Sequence, residues 1–136
     1  MREILFRGKC IYDGEWVQGD LYHRNDEILI NNYQKGFNLA VAPSSIGQFT
    51  GLTDKNGKKI FEGDIVRVLG NQQVDDWKNV DYVALIAFLD GGFCAIDGTV
   101  EEHAFRRYAL TRLDFALEVI GNIHDNPELL GGGEDG

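Results

Sequence analysis

The sequence predicts a small, mainly β protein, α+β if its one short helix is counted. It is read as an SH3-like, barrel-like body preceded by an N-terminal β-meander region. Three observations carry that reading. The dipeptides Asp13-Gly14, Asn56-Gly57 and Asp90-Gly91 each lie near strand-like residues, and such pairs accept the positive φ that primed two-residue hairpin turns require. "YVALIAFL" (82–89) shows no polar alternation, as expected of a strand covered on both faces. "NGKKIFEGDIVRV" (56–68) joins a turn dipeptide, an apolar pair, a Gly-Asp corner and a β-branched strand. A corner of that kind is common at the entry of small SH3-like barrels.

Each element follows from its residues. "ILFRGKCIY" precedes Asp13-Gly14 and "EWVQGDLYH" follows it, giving the first two strands. Asn56-Gly57 reverses the chain, Lys58 and Lys59 keep the turn in water, and Ile60 and Phe61 return to the core. At Gly63-Asp64 glycine permits unusual backbone angles and the Asp side chain can bond nearby amides. Ile65, Val66, Val68 and Leu69 make the next strand, with Arg67 at its wet position. "GNQQVDDWKNVD" (70–81) is polar and loop-like, anchored by Trp77. "YVALIAFL" and "FCAI" (93–96) flank the third turn.

A helix is expected over 100–112. Thr99 and Glu102 have capping-box spacing, and Ala104, Phe105, Tyr108 and Ala109 recur at helical intervals. "FALEVIGNI" (115–123) is the closing strand. Asn126 can cap a single following turn, with Pro127 at its first position. "GGGEDG" (131–136) has no apolar side chain to bury and reads as a mobile tail. The expected organisation is an N-terminal β-rich region at 1–45, the barrel region at 46–124, and a C-terminal turn and tail at 125–136.

Composition narrows the function classes. The chain has 136 residues, 22 acidic against 13 basic, for a formal net charge of −9. That charge repels phosphate backbones and argues against a broad basic face for non-specific nucleic acid. "MREILFRGKC" lacks a signal-peptide core, and no apolar run reaches the ~18 residues of a membrane helix. A cytoplasmic protein with no membrane contact is expected, with Cys10 and Cys94 as two buried thiols rather than a disulfide.

No residue pattern announces chemistry. His23, His103 and His124 have no metal-ligand spacing with each other or with the cysteines. Asp75, Asp76 and Asp81 do not match a calcium loop, whose ligands alternate and end in a distal Glu. Ser44 and Ser45 follow Pro43 without a nucleophile elbow, and no phosphate loop is present. Cys94 reads as a buried small thiol in a strand flank. Trp16, Tyr22, Tyr33 and Phe37 could form a stacking or partner surface. Core packing is the default for most of them, with Tyr33 and Phe37 in a polar stretch. Catalytic, cofactor-binding and metal residues are therefore all expected to be none.

Three blocks carry a family resemblance: "FRGK" (6–9) with "GEWVQGDL" (14–21), "IGQFTGLTDKNGKKIFEGDIVRV" (46–68), and "EVIGNIHDNPELL" (118–130). In this order they resemble the YopX family of phage and prophage proteins over nearly all of residues 1–130. The segment 70–112 departs most from the family pattern. The resemblance implies a β-rich, oligomeric phage protein without an established activity, and supplies no catalytic residues to carry over. The function expected is a non-catalytic, protein-binding and self-associating module with host or phage proteins as partners. Its rivals are a small enzyme with an unrecognised site and an acidic decoy that imitates DNA. The decoy ranks low, because the acids are dispersed among basic residues.

Overall fold

The computed structural model describes residues 3–32, 37–69, 82–89, 91–99, 104–109 and 116–130. The chain divides into two compact units, Met1–Gly51 and Leu52–Gly136. The described strands form two antiparallel sheets.

In the first unit, strands β1 (Phe6–Lys9), β2 (Trp16–Arg24), β3 (Glu27–Asn32) and β4 (Phe37–Ala40) form a meander. Strand β5 (Gly47–Thr53) returns to the other side of β1, with Phe6 opposite Gln48 and Arg7 opposite Gly47. A 3-10 turn at Pro43–Ser45 makes that return. Its Ser45 hydroxyl donates to the Ala42 carbonyl at 2.6 Å and accepts from the Lys9 amide at 2.8 Å. Along β2, Val17 and Gly19 are buried while Gln18 and Asp20 face water, the period-2 pattern of a half-buried strand. Val17, Ile30 and Val41 make the core, with Phe6, Leu21, Ile28, Leu39 and Ile46 packed on it.

The turns of this unit differ from the sequence reading. Cys10 N–H donates to Glu15 O at 2.9 Å, so Ile11–Gly14 form a longer loop than the two-residue primed turn expected at Asp13-Gly14. Gly14 supplies its positive φ, 73°. Arg24 and Glu27 close a two-residue turn between β2 and β3, with Asn25 at φ 55°. Beyond β4 the sheet curls back on itself. Cys10 bridges Val41, Ile11 N–H donates to Ala40 O at 3.0 Å, and Ala42 N–H donates to Lys9 O at 2.9 Å. This crossing is tight: a Cβ at Gly8 would meet Val41 Cβ at 3.0 Å.

The second unit follows the same plan. Strands β7 (Asp64–Leu69), β8 (Tyr82–Leu89), β9 (Gly92–Thr99) and β10 (Ala104–Ala109) form a meander, and β11 (Ala116–Asn122) returns to the far side of β7. The order is β10-β9-β8-β7-β11, with a bulge in β11 between Val119 and Gly121. The short β6 (Lys59–Phe61) follows β5 and stands last in the other sheet's order, β4-β3-β2-β1-β5-β6. Ile60 joins Val66, Val68, Ala84, Ile86, Ala95 and Leu117 in a core to which Phe93 and Val119 add. On β8, Ala84 and Ile86 are buried, whereas Val83, Leu85 and Ala87 are half-buried.

Two expectations are corrected. Of the helix expected over 100–112, residues 104–109 form strand β10, which pairs with β9 from Ala104 opposite Thr99 to Ala109 opposite Cys94, and 100–103 and 110–112 lie outside the described residues. Thr99, read as a helix cap, ends β9. Four residues at helical intervals are weak evidence over so short a span, and tertiary pairing overrides them. The strands also form two antiparallel sheets rather than a closed SH3-like barrel. Cys10–Val41 is an isolated bridge, too little to close the first sheet.

Candidate functional site

The second and third of the sequence blocks, 46–68 and 118–130, meet at strand β11 and the corner before β7. At the hairpin between β5 and β6, Asp54 N–H donates to Lys58 O at 2.8 Å and Gly57 N–H donates to Asp54 O at 2.9 Å. These bonds define a three-residue loop, Lys55–Gly57, with one positive-φ residue, Gly57 at 82°. It is a type I turn ending in a glycine bulge rather than a primed turn. Asp54 is buried within it. Its Oδ1 accepts from the Asn56 and Lys58 amides, both at 2.9 Å, and its Oδ2 accepts from the Val119 amide at 2.9 Å. Burial alone would push this carboxyl up. The Val119, Lys58 and Asn56 amides and the Lys58 charge outweigh it and hold the group below the ordinary 3.8. Beside it, Lys55 N–H donates to Leu117 O at 2.9 Å.

The Gly63-Asp64 corner uses the same chemistry. Gly63 takes φ 93°, its N–H donates to Ile86 O at 2.8 Å, and its carbonyl accepts from Ile123 N–H at 2.8 Å. Asp64, only 1% exposed, accepts the Phe61 amide on Oδ2 at 2.7 Å. At the far end of β11, Asn122 Oδ1 accepts from the amides of His124 and Asp125, at 3.0 and 2.9 Å. Asn126 Oδ1 accepts from Asn122 N–H at 3.3 Å. A 3-10 turn at Pro127–Leu130 follows, as the sequence implied. Gly121 lies under this turn, where a Cβ would meet Asn126 Oδ1 at 2.6 Å. These carboxylates and amides are occupied by backbone donors and so serve as anchors.

The residues singled out as chemical candidates do not converge. His23 is exposed on β2 and His124 is exposed in the turn after β11. Ser44 is exposed, and Ser45 is buried in the contacts given above. Cys10 and Cys94 are both buried and neither is in a disulfide. His103, Asp75, Asp76, Asp81, Trp77 and Tyr33 lie outside the described residues, as does the 131–136 tail. Phe37 opens β4, and Tyr22 is half-buried on β2. Trp16 is half-buried, with the Arg7 guanidinium carbon 4.7 Å and the Lys9 Nζ 5.6 Å from its ring centroid. Among the described residues no group of three or more His, Cys, Asp or Glu could hold a metal ion. Among them, too, no helix is long and apolar enough to cross a membrane.

The apolar surface was less legible. Ile11 is 53% exposed and Tyr12 78% exposed, side by side in the β1–β2 loop. Phe88, half exposed on β8, meets Phe93 edge to face at 5.1 Å between centroids. Neither Tyr12 nor Phe88 stood out in the sequence, because each sits in a run read as strand.

Comparison with curated proteins gives no match. Among solved structures, the chain is similar to protein EF1440 from Enterococcus faecalis, known from its crystal structure. The identity is 27% over 96% of this chain and 100% of that one, with a TM-score of 0.55. The family model described as YopX protein matches residues 5–131. That match runs from just before β1 to just past the last 3-10 turn, and the chain belongs to the YopX protein family.

Proposed function

We propose that the protein is a non-catalytic binding module of phage or prophage origin, working in the host cytoplasm by associating with itself and with a host or phage protein. The observation that carries the reading is the Ile11–Tyr12 loop. Its shape is held by Gly14 N–H to Cys10 O at 2.9 Å, Glu15 N–H to Asp13 Oδ1 at 3.0 Å, and the Ile11 bond to β4 already described. Two large apolar side chains on one braced loop keep their water-exposed area without gaining burial. A held shape lowers the ordering cost of binding. Tyrosine adds contact area with few rotatable bonds, as at many interfaces. The buried carboxylates of Asp54 and Asp64, by contrast, are spent on the fold through their amide contacts.

The test is mass in solution. Sedimentation of the native chain at micromolar concentration should give more than the 15.2 kDa of one chain. The double change Ile11→Ser and Tyr12→Ser should lower that mass with the circular dichroism unchanged. A single-chain mass for the native protein across the dilution range refutes self-association.

A further inference from the structure

The outer edge of β11 is occupied by side chains and a turn where a strand would otherwise lie. Leu117 C=O accepts from Lys55 N–H, and Val119 N–H donates to Asp54 Oδ2, each at 2.9 Å. The Asp54 carboxylate thus takes the place of a strand carbonyl and the Lys55 amide that of a strand donor. Farther along, Asn122 N–H donates to Asn126 Oδ1. Leu117 C=O and Val119 N–H flank Glu118, and such a pair is self-complementary. In an antiparallel pair of β11 strands centred on Glu118, each chain's Val119 N–H would meet the other chain's Leu117 C=O. Glu118 already has a counter-ion, Arg67, across from it on β7 at 3.6 Å, which offsets the meeting of two carboxylates at that centre.

We propose that β11 is a masked strand-docking edge, guarded by Asp54 and Lys55, whose fitting occupant is the β11 edge of a second copy of this chain. Exposed strand edges pair readily, and covering an edge with a turn is one way proteins prevent it. The guard belongs to the block "LTDKNGKK", which therefore has a task beyond reversing the chain. The inference does not depend on the proposed association through Ile11 and Tyr12. It concerns the difference between guarded and unguarded chains, so a monomeric native protein would refute that reading and leave this one standing.

The experiment uses a reporter at the predicted two-fold centre. Cα atoms in a non-hydrogen-bonded antiparallel pair lie about 4.5 Å apart, within disulfide reach. Glu118→Cys in the otherwise native chain should give little cross-linked dimer under mild oxidation. Asp54→Ala with Glu118→Cys should give at least about tenfold more, the change expected when one hydrogen bond to a charged group is removed. Lys55→Pro is the second variant. Lys55 is the first central residue of the type I turn, where proline fits, and the change removes the donor to Leu117. Its combination with Glu118→Cys should also raise cross-linking, and decides the matter if Asp54→Ala does not fold. Equal cross-linking in guarded and unguarded chains that share one circular dichroism spectrum would overturn the proposal.

Discussion

Replacing Gly19 with alanine tests the register of the first sheet. Gly19 sits in β2 opposite Phe6 of β1, with the β2–β3 ladder beginning at its neighbour Asp20 opposite Asn31. A Cβ built there would overlap the Asn31 carbonyl oxygen and come within 3.2 Å of Ile30 Cγ2. The obstacle is backbone, which cannot rotate aside as a flexible side chain can. Ile30 is fully buried in the core of this unit, so it cannot yield outward. Either β2 and β3 separate locally or the strand twists. Overpacking of this kind costs about 1–3 kcal/mol. Loss of one ladder hydrogen bond adds about 1 kcal/mol. The expected destabilisation of Gly19→Ala is therefore about 2–4 kcal/mol, read from urea unfolding followed by tryptophan fluorescence, since Trp16 lies on the same strand. Gly14→Ala is the control. It has nothing within 4 Å of the added Cβ and meets only the backbone strain of φ 73°. A Gly19→Ala loss below about 0.5 kcal/mol, or one smaller than that of Gly14→Ala, refutes the close approach of β2 and β3.

Three other outcomes follow from the second unit. Gly57→Ala should cost about 1–2 kcal/mol, because φ 82° is strained for an L-residue although the space is open. Gly57→Asn should cost less, and equal denaturation midpoints for all three chains would contradict the turn assignment. Asp64→Ala leaves the buried Phe61 amide without the carboxylate it now meets at 2.7 Å, and should cost about 1–3 kcal/mol by chemical denaturation. A neutral result would mean that the corner is held by other contacts. Asp54 has a lower pKa folded than unfolded, so its stabilisation is present above the unfolded value and is lost as pH falls through the folded one. Stability measured from about pH 6 down to pH 2 should thus fall less steeply in Asp54→Asn than in the native chain, and parallel curves would show that the carboxylate contributes nothing.

What was legible in the sequence was local. Glycines at 14, 57 and 91 do carry positive φ, at 73°, 82° and 83°. The Asp64 side chain does bond an amide three residues away. Arg67 is exposed, as its place among β-branched neighbours implied, and the closing strand and its following turn fall where their residues put them. What was not legible depends on distant partners. Asp54 looks like an ordinary turn residue, and its bond to Val119 spans 65 positions of chain. Strand β10 exists because β9 offers it a ladder, which no property of Ala104–Ala109 alone records. The turn at Asn25-Asp26 lacks the glycine that marks the others, although asparagine also tolerates the left-handed region. The loop lengths at Asp13-Gly14 and Asn56-Gly57 were set by closing hydrogen bonds, which the dipeptides alone do not specify.

The two units place their fifth strand alike, yet they finish their sheets by different means. In the first, the end of β4 is met by the chain just after β1, through Cys10, Ile11 and Lys9. In the second, β11 is met by Asp54, Lys55 and Asn126. Both devices satisfy backbone groups at a sheet margin, and both draw on the blocks that carry the family resemblance or on residues beside them. Ile11 and Tyr12 have a different place. They lie between "FRGK" and "GEWVQGDL", on a loop whose backbone is fixed by its neighbours while its side chains point into water. A braced loop of that kind can exchange side chains without disturbing the strands that hold it, since neither side chain belongs to the core cluster. On the proposed reading, scaffold and recognition are thereby separated in the chain. Changes at Gly19, Gly57 or Asp64 should act through stability, whereas changes at Ile11 and Tyr12 should alter association and leave the unfolding of the dissociated single chain untouched.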